Sequence, residues 1–75
     1  MTSSSIANAQ IYGLLEVARL KLGPATTAMS AAAVASSQGK TGDDTRDAIG
    51  RALLLLQDAG ALLLEADRMC REARA

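Results

Sequence analysis

A few residues in this chain have types and spacings that invite a chemical reading. Lys40 and Thr41 follow Gly39, and Gly-Lys-Thr ends the phosphate-binding loops of nucleotide-binding proteins. The full motif places a glycine five positions before Gly39, where this chain has Val34, and no strand pattern precedes it. The triplet therefore reads as a solvated turn. Glu16, Asp58, Glu65 and Asp67 offer carboxylates to a metal, yet none has a histidine three residues on, as di-iron bundles require. The chain holds no histidine at all, which removes the usual general base, nucleophile activator and zinc ligand. No cofactor or metal is expected, and no enzyme activity.

Cys70 is the single cysteine, so an internal disulfide framework is excluded and a reducing compartment suits it. Arg71 and Arg74 favour its thiolate, while the C-terminal end of a helix opposes it. A half-buried structural thiol is expected. Arg68, Arg71 and Arg74 invite phosphate, but Glu65, Asp67 and Glu72 are interleaved with them. A helix that reads DNA keeps a basic face free, so a nucleic-acid partner is not expected.

What must position these residues is helix. Ala48, Ala52, Leu55, Ala59, Leu62, Ala66 and Met69 alternate four and three residues apart, the stripe of a packed helix. A second stripe lies beside it: Ile49, Leu53, Leu56, Gly60, Leu63 and Cys70, broken by Asp67. The two together make a face too wide for one helical partner. Leu54 and Leu64 add apolar surface outside both stripes. In the first half, apolar positions recur as Ile11, Leu15, Ala18 and Leu22, then Ala25, Met29 and Ala32 in the same phase. Leu14 and Val17 add a second stripe there.

The pattern predicts helix over about 5–37, a turn at 38–44 and helix over about 45–73. Ser3, Ser4 and Ser5 can cap the first helix, and Asp43, Asp44 and Thr45 the second. Gly39 can close the first in a left-handed conformation. Gly23-Pro24 resembles a stop signal, because proline lacks an amide hydrogen and crowds the residue-20 carbonyl. Since the apolar phase continues across it, a kink is expected; the alternative is a true corner. Asp47–Arg51, Asp67–Arg71 and Arg68–Glu72 are four apart and can pair on the helix surface.

Two helices of similar length joined by a short turn give an antiparallel hairpin, one all-α domain over residues 1–75. Small residues gather on the facing stripes: Ala25, Ala28, Ala31, Ala32 and Ala35 on one arm, Ala48, Ala52, Ala59 and Gly60 on the other. A Cβ-excluding contact would account for Gly60. With one Tyr and no Phe or Trp, a monomer has little bulk to bury, so oligomerisation is the remedy. A homodimer forming a four-helix bundle is expected, with Ala48, Ala52, Leu53, Leu55, Leu56, Ala59, Leu62, Leu63, Ala66 and Met69 in its core. Leu55, Leu56, Leu62 and Leu63 should be the central buried residues.

The stretch TRDAIGRALLLLQDAGALLLEAD resembles the second helix of small helical-hairpin proteins of unknown function from pseudomonads. The likeness lies in an Arg-Asp pair and a Leu-Leu, Ala, Leu-Leu, Ala run, and it implies no activity.

Formal net charge is zero, no positive charge precedes an apolar stretch at the N-terminus, and Gln57 and Asp58 interrupt the longest apolar run. A cytoplasmic protein is the expectation. By exclusion, the functional reading is a non-catalytic protein-binding module: an adaptor, regulator or inhibitor of a larger protein. The candidate contact residues are Tyr12, the single aromatic residue, and Arg19, with Gln10 and Glu16 as neighbours. The alternative is an amphipathic helix pair on a lipid or granule surface. Zero net charge and the lack of Trp and Phe weigh against it, so a membrane partner is not the first expectation. The hydroxyls Thr26, Ser30 and Ser37 line one stripe that is expected to face solvent; the alternative is a polar strip within an interface.

Overall fold

The structure, a computed structural model, describes residues 3–40 and 42–74, with the side chains of Ser3, Ser4 and Arg74 outside the description. It contains two helices, α1 (Ser3–Ser37) and α2 (Asp43–Arg74), and among the described residues no strand. At about 1.5 Å per residue, α1's length is close to the 56 Å long axis of the molecule, whose other extents are 16 and 14 Å. The helices therefore lie side by side, and the short link makes them antiparallel. Pro24 lies inside α1, which continues beyond it for more than three turns. A true corner at Gly23-Pro24 is not formed.

The link is built as the residue types require. Gly39 adopts φ +77°, the left-handed conformation that lacks a steric penalty only without a Cβ. Its amide donates to the Ser36 carbonyl at 3.0 Å, and the Lys40 amide reaches back to the Ala35 carbonyl at 2.9 Å. These two bonds form a Schellman cap and satisfy the last carbonyls of α1. The α2 cap differs from expectation. The Arg46 amide donates to the Gly42 carbonyl at 3.1 Å, so α2 begins two residues early and Gly42 takes the cap position. Asp43 and Asp44 lie within the first turn, where their charge suits the helix dipole. The Thr45 hydroxyl, instead of capping, donates to the Lys40 carbonyl at 2.8 Å and is buried against the link. At the other end α1 already includes Ser3, ahead of the expected start.

The seam between the helices is made of alanine. Ala18, Ala25, Ala28 and Ala32 of α1 and Ala48, Ala52, Ala59 and Ala66 of α2 are its buried apolar residues. Ala18, Ala25 and Ala32 stand seven apart, as do Thr45, Ala52, Ala59 and Ala66. A seven-residue repeat keeps one line of each helix against its neighbour. Methyl groups on that line let the backbones approach closely. Bulkier residues are displaced to the flanks: Ile11, Leu14, Leu55, Leu62 and Met69 are half-buried.

This geometry divides the expected core. Ala48, Ala52, Leu55, Ala59, Leu62, Ala66 and Met69 do face α1. Leu53, Leu56 and Leu63, expected beside them, remain exposed in the hairpin. The physical reason is width: a single neighbouring helix covers one stripe of α2 and leaves the adjacent one uncovered. In α1 the expected stripe splits likewise, with Ala18, Ala25 and Ala32 inside and Leu15, Leu22 and Met29 outside. Cys70 is exposed for the same reason and is not the half-buried thiol expected. Ala31 is exposed and Ala35 half-buried. A Cβ on Gly60 would meet nothing within 4 Å, so packing inside the hairpin does not account for that glycine.

Candidate interaction surface

The two long edges of the hairpin differ sharply in chemistry. Along one edge of α2 run Arg51, Asp58, Glu65 and Glu72, seven residues apart. Lys21 of α1 reaches Asp58 across this edge at 3.8 Å. Arg68 donates to both carboxylate oxygens of Glu65 and, at 2.7 Å, to Glu72. The Arg68 guanidinium holds the Glu65 carboxyl below its ordinary range, and that carboxylate raises Arg68 in return. Asp67 and Arg71 pair at 3.1 Å. Two of the three expected helix pairs are thus formed; Asp47 and Arg51 do not pair.

Along the opposite edge of α2 run Ile49, Leu56, Leu63 and Cys70, again seven apart. On α1 the corresponding line is Leu15, Leu22 and Met29. Met29, Ile49, Leu53 and Leu56 line one shallow groove of about 240 Å³ floored by Ala32 and Ala52. The groove shows that the two outer lines lie side by side, because Met29 belongs to one and Ile49 and Leu56 to the other. Leu15, Leu22, Met29, Ile49, Leu56 and Leu63 are each between 40% and 50% exposed. Six large side chains thus form one band, half-desolvated by the hairpin and half open. An apolar band of this extent is unusual on a surface that meets only water. Other large apolar residues, including Leu20, Leu54 and Leu64, are exposed away from it.

Tyr12 and Arg19 lie on the rim of this band, three residues before Leu15 and Leu22. The structure joins them through Glu16. The Tyr12 hydroxyl donates to Glu16 Oε1 at 3.0 Å, and Arg19 Nε donates to Glu16 Oε2 at 2.8 Å. Arg19, and after it Tyr12, hold the Glu16 carboxyl below its usual range. Accepting the Tyr12 hydroxyl proton bond, and carrying negative charge, Glu16 pushes the phenol upward. The side chains are thereby aligned on the surface, with Tyr12 65% exposed. Gln10 does not join them. It lies in a groove with Leu14, Val17, Glu65 and Arg68, on the charged side.

The remaining expected sites have no shared geometry. Thr41 of the Gly-Lys-Thr triplet lies outside the described residues, and the wide groove beside the link is lined by Asp43, Asp44 and Lys40. Among the described residues no three acidic or cysteine side chains gather into a metal-binding group, and no helix is long and apolar enough to cross a membrane. Thr26, Ser30 and Ser37 are exposed in the hairpin. Sequence reading missed the Lys21–Asp58 bridge and the Tyr12–Glu16–Arg19 chain. The second was within reach, because its members are spaced four and three apart; the first needs the register between two helices. No protein-family model, curated protein or solved structure matches this chain.

Proposed function

We propose that this protein is a small, non-catalytic protein-binding module that acts as a homodimer, two hairpins packing into a four-helix bundle. The observation that supports it is the apolar band of Leu15, Leu22, Met29, Ile49, Leu56 and Leu63 beside an alanine seam. A seam of methyl groups buries little area, so the hairpin alone gains little from the hydrophobic effect. Covering the band supplies the missing burial. The larger partner that the module regulates is read by the Tyr12–Glu16–Arg19 rim, an aromatic and a guanidinium held in place by one carboxylate. Within this reading α1 bends at Gly23-Pro24, where the Leu20 carbonyl loses its amide partner, and the module works in the cytoplasm.

The test combines mass and capture. Native mass spectrometry at micromolar concentration should give twice the 7.7 kDa chain mass. Tyr12→Ala and Arg19→Ala should lose partner capture and keep the melting temperature. A chain that is monomeric at high concentration, and helical only with anionic vesicles, would instead establish the lipid-surface alternative. Residual dipolar couplings along α1 test the bend.

A further inference from the structure

We infer that the hairpin is jointed at one level, where residues 20–24 of α1 stand beside residues 58–60 of α2, and that its two halves open as separate units. The terminal block carries both chain ends, and the link block carries the turn. The joint belongs to the single hairpin and does not depend on the homodimer reading.

The register brings the weak points of both helices together. Pro24 and Leu55 line one groove, Val17 and Glu65 another, and Lys21 meets Asp58 between them. Gly60 therefore stands level with Leu20 and Lys21. Pro24 has no amide hydrogen, so the Leu20 carbonyl loses its helical donor at that level. Gly23 and Gly60 weaken each helix there as well, since glycine loses the most backbone freedom on becoming helical. A Cβ on either would meet nothing within 4 Å, so packing inside the hairpin requires neither. Gly13 and Gly50 lie at other levels, with no proline or second glycine across the seam. The seam changes at the same place. Between buried Ala18 and Ala25, the inward position of α1 is held by Lys21, whose ammonium turns out to Asp58.

Each block has fastenings of its own. Among the described residues, every ion pair within a helix lies on the terminal side: Glu16 with Arg19, Arg68 with Glu65 and Glu72, and Asp67 with Arg71. The link block is closed instead by the Gly39 cap and by the Thr45 hydroxyl on the Lys40 carbonyl. Between the helices, the one ion pair among the described residues is Lys21–Asp58, at the joint itself and partly solvated. The terminal block opens first. Its arms have no covalent tie at their far end and gain more freedom on parting than the arms joined by the link. The Tyr12–Glu16–Arg19 rim rides on this block, while the groove of Met29, Ile49, Leu53 and Leu56 lies on the link block. Opening at the joint therefore moves the rim and leaves the groove in place.

Native-state hydrogen exchange, read by NMR on the full chain in low concentrations of urea, tests the joint. Amides of residues 6–19 and 62–72 should share one opening, and those of residues 26–36 and 46–56 a rarer one. The first should be populated at least about tenfold more than the second, with the step at residues 20–24 and 57–60. One opening common to both blocks overturns the joint, and so does protection that falls smoothly from the link to the chain ends. Two variants make the test sharper. Ala33→Gly, at an exposed site of α1 in the link block, should lower link-block protection about fivefold and leave terminal-block protection unchanged. An equal fall in both blocks shows a single unit and overturns the joint. Pro24→Ala combined with Gly60→Ala restores the missing donor and two ordinary helix interiors, so the terminal opening should become at least about tenfold rarer. An unchanged terminal opening in this variant places the boundary elsewhere and overturns the joint.

Discussion

Lys21 and Asp58 face each other across the two helices at 3.8 Å, pinning the antiparallel register from outside the alanine seam. Both side chains are partly solvated, at 33% and 62% exposure. Partly exposed pairs of this kind contribute about 0.2–1 kcal/mol. A double-mutant cycle with Lys21→Ala and Asp58→Ala should give a coupling in that range, smaller at high salt. A coupling of zero would leave the register to packing alone.

Enlarging the seam should do more harm than breaking the bridge. Ala52 and Ala59 are 4% and 5% exposed. A leucine at either forces the backbones apart, and overpacking costs about 1–3 kcal/mol. Thermal melting of Ala52→Leu and Ala59→Leu should show the loss. A leucine at the exposed Ala61 should not.

Among the leucines, position decides the effect. Leu55 and Leu62 are half-buried against α1, and truncating each to alanine should cost about 1 kcal/mol or more. Leu54 and Leu64, 63% and 70% exposed, should change stability by under about 0.5 kcal/mol. Equal losses at all four positions would show that the α2 register differs from the one described.

Gly39 tests the cap. At φ +77° a Cβ would meet no neighbouring atom, so the penalty of Gly39→Ala is conformational alone. A non-glycine residue in this region costs about 1–2 kcal/mol. Denaturant unfolding should show that loss without a change in the slope of the transition.

Acid should weaken two surface contacts. The folded-state carboxyls of Glu16 and Glu65 are held below 4.5, their ordinary value, by Arg19 and Arg68. A depressed carboxyl adds stability that is complete above its unfolded value and is lost as pH falls through the lower folded one. Carbon-detected NMR titration should place both midpoints below 4.5. Glu16→Gln should return the Tyr12 phenol toward 10.0, its unperturbed value.

Much of this molecule is legible along the chain because its determinants are local. The four-three spacing from Ala48 to Met69 fixes which line of α2 faces a neighbour. Gly39 marks the end of α1, since no other residue type enters the left-handed region without penalty. The spacing of Asp67 with Arg71 and Arg68 with Glu72 sets their pairing within one helix. Other features depend on the distance between the helices, which no local pattern encodes. Ala and Leu fit the same apolar stripe in sequence. Close approach then selects Ala18, Ala25 and Ala32 for the seam and leaves Leu15, Leu22 and Met29 at the edge. The same approach leaves Leu53, Leu56 and Leu63 uncovered and Cys70 exposed. Lys21 meets Asp58 only once two helices are set side by side, because that relationship belongs to the register between chain segments far apart in sequence.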